Sequence, residues 1–183
     1  EDTEFEDWDQ SIRLNFVNQM RCLKHLLPRR RSRHEAAMPT VISWAGGGTN
    51  GATTRCSGYT VSKIAQIKMM ELLDAELSDV KLAILGPGWV RTKIHEEILE
   101  AGSNAGENLT RTRDRIENGD WTPMKSVVDC CDWVISQPKE VVSGRNFSIA
   151  HDSWGDTHLE AQLKEDQNMY KLRRSGNNWN QDG

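Results

Sequence analysis

The chain has few apolar residues and no long apolar run. Only 37% of its 183 residues are hydrophobic, and the mean hydropathy is −0.67. No stretch approaches the roughly 20 consecutive apolar residues that a membrane-spanning helix needs. The acidic start, with Glu1, Asp2 and Glu4, does not resemble a signal peptide. We therefore expect a thin core, a cytoplasmic location and no membrane partner.

The sequence also lacks an excess of positive charge. Its formal net charge is −4, and acidic and basic residues are interspersed. One basic run, at residues 29–33, has the charge to hold phosphates, but it has no interleaved aromatic residues and is typical of a solvated loop. We therefore expect no nucleic-acid partner.

The cysteines show neither metal-ligand spacing nor a disulfide framework. They are Cys22, Cys56, Cys130 and Cys131, and the adjacent pair is poorly placed to bridge to itself. We therefore expect reduced thiols and no metal site.

Helical and strand patterns alternate along the chain. Apolar residues at helical spacing predict helices, and short β-branched runs bounded by glycine predict strands. The predicted helices are residues 8–27, 57–77, 94–99, 124–135 and 158–174, and the predicted strands are residues 40–45, 80–85 and 144–150. This order predicts an α/β fold with a parallel sheet and helices on both faces. Residues 92–122 are polar and mostly aperiodic, which favours a mobile segment over a site.

Tyr59 and Lys63 lie four residues apart at the start of the predicted helix 57–77. This spacing places both side chains on one face of the helix, where the charge of the lysine can lower the pKa of the phenol. A tyrosine with a lowered pKa is suited to proton transfer at neutral pH. Because the spacing is common on helix surfaces, its meaning depends on the motifs around it.

Four motifs in order resemble the short-chain dehydrogenase/reductase family. They are Trp8 and Asn15 on the first helix, a strand that ends in three glycines at residues 46–48, the Tyr59 and Lys63 pair, and the turn at residues 87–92. The resemblance covers residues 5–150 and implies a partial Rossmann-like, doubly wound parallel sheet that lacks its N-terminal strands. Residues 1–150 would be the C-terminal part of that domain. Residues 151–183 would be a tail, partly helical and then disordered, similar to that of an uncharacterised subgroup.

The resemblance implies an oxidoreductase that uses NAD or NADP and transfers hydride between the nicotinamide and a carbonyl or alcohol substrate. Tyr59 would be the general acid or base, and Lys63 would lower its pKa and bind the nicotinamide ribose. Asn15 would lie at a kink in its helix and hold a water that connects Lys63 to solvent. The cofactor-binding residues would be Tyr59, Lys63, Pro87, Gly88, Val90 and Thr92.

The residues alone leave alternatives open. Thr92 could cap the short helix that follows it, and Asn15 could be a solvent-facing polar residue. Trp89 is a candidate to line the substrate pocket but could equally belong to the core, and His95 is predicted to lie on the surface.

Two features depart from the family pattern. Members place a serine thirteen residues before the tyrosine, and that position is Gly46 in this chain. Thr49 or Ser43 could supply the hydroxyl instead, and we favour Thr49. The glycine-rich strand-turn-helix motif that seats the pyrophosphate, and the residue that selects between NAD and NADP, are not found.

Two interpretations follow from the missing motif. The chain is a piece of a longer polypeptide, which we favour, or it is a truncated relative that is not catalytic and acts through protein association. In both cases the strand at residues 40–45 would expose an edge that invites pairing. The helices 8–27 and 57–77 resemble those through which family members associate, and Leu14, Ile67 and Met70 lie off their main apolar faces. Val61 and Leu72 are predicted to face the core, and we expect a homo-oligomer.

Overall fold

A computed structural model describes residues 4–30, 38–90 and 92–174. The predicted basic run from residue 31 onward and the predicted disordered end at residues 175–183 lie outside the described residues. In chain order, the elements are α1 (Phe5–Ile12), a π-helical segment (Arg13–Val17), α2 (Asn18–Leu26), a 3₁₀ turn (Leu27–Arg29), β1 (Thr40–Trp44), α3 (Ser57–Glu76), β2 (Lys81–Gly86), α4 (Lys93–Ala101), a second 3₁₀ turn (Gly102–Ala105), α5 (Glu107–Asn118), α6 (Met124–Ser136), α7 (Lys139–Val142), β3 (Asn146–Ser148) and α8 (Thr157–Glu165).

The three strands form one parallel sheet in the order β1-β2-β3. The register places Ile42 of β1 beside Ala83, and Leu85 beside Phe147 of β3. The first five residues of β2 are buried, as expected for a central strand that is covered on both faces. The predicted α/β fold class, a partial Rossmann-like parallel sheet, is confirmed.

Alternate residues of β2 build two cores on opposite faces of the sheet. Leu82 and Ile84 face one side, and Ala83 and Leu85 face the other. The first core includes Ile67 and Met70 of α3 and is flanked by Leu23 and Leu27. The second core is built by α6, α7, β3 and α8, and its buried members include Val127, Cys130, Val134, Val141, Val142, Phe147, Leu159 and Leu163. Helices therefore cover both faces.

The prediction of which residues of α3 face the core is wrong in part. Ile67 and Met70 are 2% and 0% exposed, whereas Val61 and Leu72 are each 48% exposed. The helix has apolar residues on almost every side, so the pattern did not define which face packs against β2. Ile67 and Met70 are therefore core residues and not part of a free face, while Leu14 of the π-helical segment is exposed at 56%.

One of the two edge strands of the described sheet is β1, which pairs only with β2. The Ala45 N–H donates to the Leu85 carbonyl, and Lys81 N–H donates to the Pro39 carbonyl. Because the backbone direction alternates along a strand, the N–H and C=O groups of Ile42 and Trp44 point to the open side. The predicted exposed edge is thus present in the described residues.

Residues 92–118 are more regular than their sequence indicates. The helix α4 contains the helix predicted at residues 94–99, and α5 replaces much of the remaining segment that we predicted to be aperiodic. The sequence of α5 is almost entirely polar, and Thr112 is its one fully buried residue. A positive φ of 65° at Gly119 ends the helix in the left-handed region that favours glycine.

The C-terminal tail packs on the sheet through one buried arginine. Arg145 precedes β3 and donates to the carbonyls of Asp166 (3.0 Å), Met169 (2.6 Å) and Leu163 (2.5 Å). Leu159 and Leu163 of α8 enter the core of β3. None of the helices formed by residues 4–30, 38–90 and 92–174 is long and apolar enough to cross a membrane.

Candidate functional site

The Tyr59 and Lys63 side chains lie in the first two turns of α3, at the carboxyl end of β1. Both residues are half-buried. The Lys63 ammonium lies 5.7 Å from the centre of the Tyr59 ring, and its Nζ donates to the carbonyl oxygen of Trp44 at 3.0 Å. That carbonyl belongs to the open edge of β1, so Lys63 satisfies a backbone acceptor that has no strand partner. The spacing predicted from sequence therefore brings the pair together.

The pKa of the Tyr59 phenol is raised, whereas the sequence predicted that Lys63 would lower it. Burial raises the pKa of the Tyr59 phenol above its ordinary value, and the nearby thiol of Cys56 adds to this. Burial also lowers the pKa of the Lys63 ammonium. The expected lowering of the Tyr59 pKa is absent because Lys63 lies over the ring and its hydrogen bond goes to Trp44 instead of the phenol oxygen.

Gly46 lies directly against the Tyr59 hydroxyl. A Cβ atom at Gly46 would stand 2.6 Å from the Tyr59 hydroxyl oxygen and 2.8 Å from Cγ of Lys63. Both distances are too short for real contacts, so the tyrosine fills the space in which a side chain at position 46 would begin. The position that carries serine in the family pattern is thus adjacent to the Tyr59 hydroxyl.

The two candidate replacements for the missing serine lie in different places. Ser43 is 8% exposed and lines a small cleft of about 90 Å³ together with Lys63. Thr49 lies in the loop between β1 and α3, is partly buried, and is not among the residues that line this cleft. Ser43 therefore shares a cleft with Lys63, and which of the two hydroxyls replaces the missing serine stays a prediction.

Asn15 lies in the centre of the π-helical segment between α1 and α2. Its side-chain Nδ2 donates to the Ser11 carbonyl at 3.1 Å. In a π turn the regular backbone hydrogen bonds between residues i and i−4 are interrupted. The Asn15 amide then supplies a donor for the Ser11 carbonyl. The helix is therefore interrupted at Asn15, where the family resemblance implies a kink.

A glycine at the start of α3 brings this interrupted helix close to the tyrosine. A Cβ at Gly58 would lie 3.1 Å from Trp8 Cδ1 and 3.2 Å from Ser11 Cβ, so the absent side chain permits close packing of α1. Trp8, which belongs to the family motif, thus packs against the residue next to Tyr59.

The turn after β2 is fixed by packing on the segment that follows α5. Gly88 has a φ of +70°, and a Cβ there would lie 2.5 Å from Oγ1 of Thr122. The Thr122 N–H donates to the Trp89 carbonyl at 2.8 Å. Val90 packs against the core, Pro87 is partly buried, and Arg91 lies outside the described residues. Gly88 is therefore required here by both conformation and space.

Thr92 is the N-cap of α4, as one of the two sequence-based interpretations predicts. Its N–H donates to Nδ1 of His95 at 3.4 Å, and the His95 N–H donates to the Thr92 carbonyl at 3.1 Å. The residue as a whole is exposed, so capping does not prevent its hydroxyl from contacting a ligand.

His95 is buried, which corrects the prediction that it lies on the surface. It is 8% exposed and lies between two tryptophans, with its ring centre 5.0 Å from Trp89 and 5.2 Å from Trp121. The guanidinium of Arg115 lies over Trp89 at 4.9 Å. The sequence did not predict that Trp121 and Arg115 lie near His95 and Trp89, because the polar sequence of this segment carries no periodic signal. The spacing of Thr92 and His95, which is that of a capping box, was the one available indication.

The residues at the strand ends fit one half of a nicotinamide cofactor. A phenol, an ammonium and the exposed residue Thr92 offer donors for ribose and carboxamide oxygens. The ammonium of Lys63 has three N–H donors, and one of them donates to the Trp44 carbonyl. Among residues 4–30, 38–90 and 92–174, no group of three or more His, Cys, Asp or Glu side chains is placed to hold a metal ion.

A parallel α/β sheet with a tyrosine and lysine pair at the carboxyl end of a strand is the arrangement that the resemblance to a dehydrogenase family implies. A comparison with protein families matches the short chain dehydrogenase family over residues 1–102. The match covers more than half of the 183 residues and includes Asn15, Gly46, Tyr59, Lys63 and the turn at residues 87–92. The chain belongs to the short-chain dehydrogenase family, whose members are in general nicotinamide-dependent oxidoreductases.

Proposed function

We propose that the chain carries the proton-transfer half of an NAD- or NADP-dependent reaction that interconverts a carbonyl compound and an alcohol. The observation that supports this most strongly is the position of the Tyr59 hydroxyl. It lies at the carboxyl end of the sheet, against Gly46 and beside the Lys63 side chain.

In this proposal Tyr59 donates its phenolic proton to the carbonyl oxygen during reduction and removes that proton during oxidation. When bound, the nicotinamide supplies or accepts the hydride at the carbonyl carbon. Lys63 stabilises the phenolate that reduction leaves behind, and it keeps two further protons for ribose hydroxyls while it remains bonded to Trp44. Asn15 positions a proton path from Lys63 to solvent through the interrupted helix.

The cofactor would lie against Pro87, Gly88, Val90 and Thr92. These residues lie between the end of β2 and the start of α4, and β2 pairs with β1, whose carboxyl end lies beside the tyrosine and lysine pair. The substrate oxygen would lack the usual serine, and Ser43 is better placed than Thr49 to replace it. The loss of one such donor costs about 2.7–4 kcal/mol in comparable sites, so we expect a slow enzyme.

The test combines cofactor binding with turnover. Reduced nicotinamide fluorescence reports binding, and consumption of the cofactor with a carbonyl substrate reports turnover. We expect Tyr59→Phe to retain binding and lose turnover by at least about a hundredfold, which is the usual contribution of a positioned acid. Tyr170→Phe is the matched control, because Tyr170 is the other tyrosine of the chain and lies in the C-terminal tail. Equal turnover in both variants would remove Tyr59 from the mechanism.

A second candidate function is association through the edge of β1. The cleft beside this edge contains the Gln66 Oε1 atom, which is buried and has no hydrogen-bond partner. A further strand would pair with the open groups of Ile42 and the Trp44 N–H and cover that cleft. A homo-oligomer formed in this way would function through protein association, and this function would not require the cofactor.

The four free thiols are compatible with a reducing, cytoplasmic compartment.

Light scattering on a size-exclusion column tests the second candidate. We expect a dimer or larger species for the chain and a monomer for Ile42→Pro, because proline removes an edge N–H that points away from β2. Leu72→Lys is the control for a change of exposed apolar surface away from the edge. A monomeric parent chain would contradict this candidate without affecting the enzymatic one.

A further inference from the structure

The loop that joins β1 to α3 contains one of the two Asn-Gly pairs of the sequence. The pairs are Asn50 with Gly51 and Asn118 with Gly119. The side chain of an asparagine carries an amide carbon that the backbone nitrogen of the next residue can attack, and the ring that results is a succinimide. Glycine in the second position leaves this attack open, because it has no Cβ atom to crowd the nitrogen. Each pair is therefore chemically capable of self-modification, and the fold decides which of them reacts.

The fold leaves the first pair accessible. Asn50 and Gly51 are both exposed and lie in a bend outside any helix or strand. A Cβ at Gly51 would meet nothing within 4 Å, so no neighbouring segment packs against this side of the glycine. In the part of the chain that the structure describes, no backbone hydrogen bond holds the Gly51 N–H. The Asn50 side chain and the Gly51 nitrogen can therefore approach each other without breaking secondary structure.

The second pair is held by the end of a helix. Asn118 is the last residue of α5, and the Gly119 N–H donates to the Ile116 carbonyl at 3.4 Å. The N–H of Asp120 donates to the Arg115 carbonyl at 3.1 Å, as in the common glycine-terminated helix end. These hydrogen bonds fix the peptide between Asn118 and Gly119, so attack by the Gly119 nitrogen requires local opening of the helix end. The chain thus carries an accessible pair and a restrained pair of identical chemistry.

We propose that Asn50 is a modification site at which the folded chain converts itself, through a succinimide, into aspartate and isoaspartate forms. The Gly51 nitrogen loses its proton to a base in the solvent and forms a bond to Cγ of Asn50, an intramolecular attack that proximity favours. The bond from Cγ to Nδ2 breaks, and the amide nitrogen takes up a proton and leaves as ammonia. Water then opens the ring at either carbonyl, and no oxidation or reduction occurs.

The position of the loop gives this modification a structural effect near Tyr59. Gly48 packs on the start of α3, where a Cβ would lie 2.5 Å from Cγ2 of Thr60. Thr60 follows Tyr59, and its N–H donates to the Cys56 carbonyl at 2.9 Å. Both products add a negative charge at Asn50, and isoaspartate also lengthens the main chain between the Gly48 contact and α3. The inference does not rest on the proposed function, although it places a slow chemical change beside the residues which that function would use.

Peptide mapping of the full chain tests the proposal. The purified chain is kept at mildly alkaline pH, and samples taken at intervals are digested in acid and analysed by mass spectrometry. We expect the Asn50 peptide to gain one mass unit at least about tenfold faster than the Asn118 peptide, because only the second reaction waits for a helix end to open. In concentrated guanidinium chloride both pairs should react at similar rates. Equal rates in the folded chain, or an Asn50 that reacts only in denaturant, would overturn the proposal.

The products identify the chemical route. A succinimide gives two new forms of the Asn50 peptide, aspartate and isoaspartate, which have the same mass and different retention times. Hydroxylamine should also cleave the chain between residues 50 and 51, because it attacks the succinimide. Direct hydrolysis of the side chain would give aspartate alone. A single aspartate product without cleavage by hydroxylamine would therefore refute the ring.

Gly51→Ala and Gly47→Ala form a matched pair for the same measurement. Both add a methyl group to one loop at positions where a Cβ meets nothing within 4 Å, so both variants should fold. We expect Gly51→Ala to slow the conversion of Asn50 at least about tenfold, because the methyl group crowds the attacking nitrogen. Gly47→Ala should leave the rate unchanged, and equal rates in the two variants would contradict attack by the Gly51 nitrogen. Turnover of a cofactor plays no part in these measurements, so the outcome for this site and the outcome for the proposed function are separate.

Discussion

The hydroxyl of Tyr59 occupies the space that a side chain on Gly46 would need, 2.6 Å from the position of its Cβ. The glycine therefore does more than remove a hydroxyl group from the site. It permits the tyrosine to lie against the backbone at the end of β1, where burial raises the pKa of the phenol. A serine could not be restored here without displacement of the tyrosine or the Lys63 side chain.

Gly46→Ala should destabilise the protein, since the added methyl overlaps both Tyr59 and Lys63. Overpacking of this kind costs about 1–3 kcal/mol. Gly47→Ala is the matched control, because a Cβ there meets nothing within 4 Å, and it should change stability by less than about 1 kcal/mol. Urea denaturation of the two variants measures the difference. A Gly46→Ala variant as stable as Gly47→Ala would show that the tyrosine moves aside freely.

The raised pKa of the Tyr59 phenol predicts opposite pH profiles for the two directions of the proposed reaction. Reduction uses the protonated phenol, so its rate should be flat near neutral pH and fall only above the raised pKa. Oxidation uses the phenolate, so its rate should rise about tenfold per pH unit up to pH 10 and beyond. Initial rates from pH 6 to pH 11 test both. A plateau of the oxidation rate below pH 9 would show that bound cofactor or Lys63 lowers this pKa.

The sequence predicts the sheet and the tyrosine and lysine pair because both depend on local patterns. The strands β1 and β2 are short apolar runs that end in glycine, and Tyr59 and Lys63 are fixed by the helical repeat. The resemblance to a family orders these motifs and places Asn15 at an interruption that the helical pattern alone does not indicate. Domain boundaries at residue 150 stay a prediction.

The parts that sequence does not predict depend on contacts between distant segments. His95 is followed by Glu96 and Glu97 in sequence, and its burial requires Trp89 and Trp121 to meet around it. The buried face of α3 is ambiguous because apolar residues occur on several sides, and only contact with β2 selects Ile67 and Met70 over Val61. Such choices follow from tertiary packing, which overrides local periodicity.

Cys130 and Cys22 should differ strongly in alkylation. Burial raises the pKa of the Cys130 thiol to about 12, with contributions from Cys131 and Asp152, whereas Cys22 is exposed. At pH 8 only about one Cys130 in ten thousand would be a thiolate, and the thiolate is the reactive form. Peptide mapping after brief iodoacetamide treatment should find Cys22 modified and Cys130 intact.

Denaturation supplies the control for this labelling experiment. In concentrated guanidinium chloride the burial of Cys130 is lost, so both thiols should react at similar rates. Native-state modification of Cys130 at the rate of Cys22 would mean that the core around α6 opens readily.

Glu71 should contribute stability at neutral pH that disappears in acid. Burial alone would raise the pKa of its carboxyl, but hydrogen bonds from Lys68 (2.9 Å) and Arg173 (2.7 Å) outweigh it, so the pKa is lowered. A carboxyl with a lowered folded-state pKa stabilises the fold above its unfolded pKa of about 4.3, and this effect is lost as pH falls through the folded value.

Glu71→Gln should therefore reduce the free energy of unfolding at pH 7 and have little effect at pH 3. The cost at pH 7 should be about 0.2–1 kcal/mol, as for other partly exposed ion pairs. Denaturant titrations at several pH values measure it, with Glu97→Gln on the exposed side of α4 as the control. A cost that stays constant from pH 7 to pH 3 would assign the role of Glu71 to packing instead of charge.

Arg145 should be one of the most sensitive positions in the fold. It is fully buried, and its guanidinium donates to carbonyls of α8 and of the chain beyond it. Arg145→Met removes all these donors together and should destabilise the protein by about 3–5 kcal/mol. Arg145→Lys keeps the charge with fewer and differently placed donors and should cost less. Arg111→Met, at an exposed position of α5, is the control and should cost under about 1 kcal/mol.

Hydrogen exchange separates a local from a global role for Arg145. If the arginine holds the tail on the sheet, Arg145→Lys should increase exchange first at amides of α8 and residues 166–170, while β2 amides remain protected. Loss of protection throughout β2 at the same rate would instead make Arg145 part of the central core. An Arg145→Met variant as stable as the Arg111→Met control would contradict the contribution of these buried hydrogen bonds, because each unsatisfied carbonyl should cost about 1–3 kcal/mol.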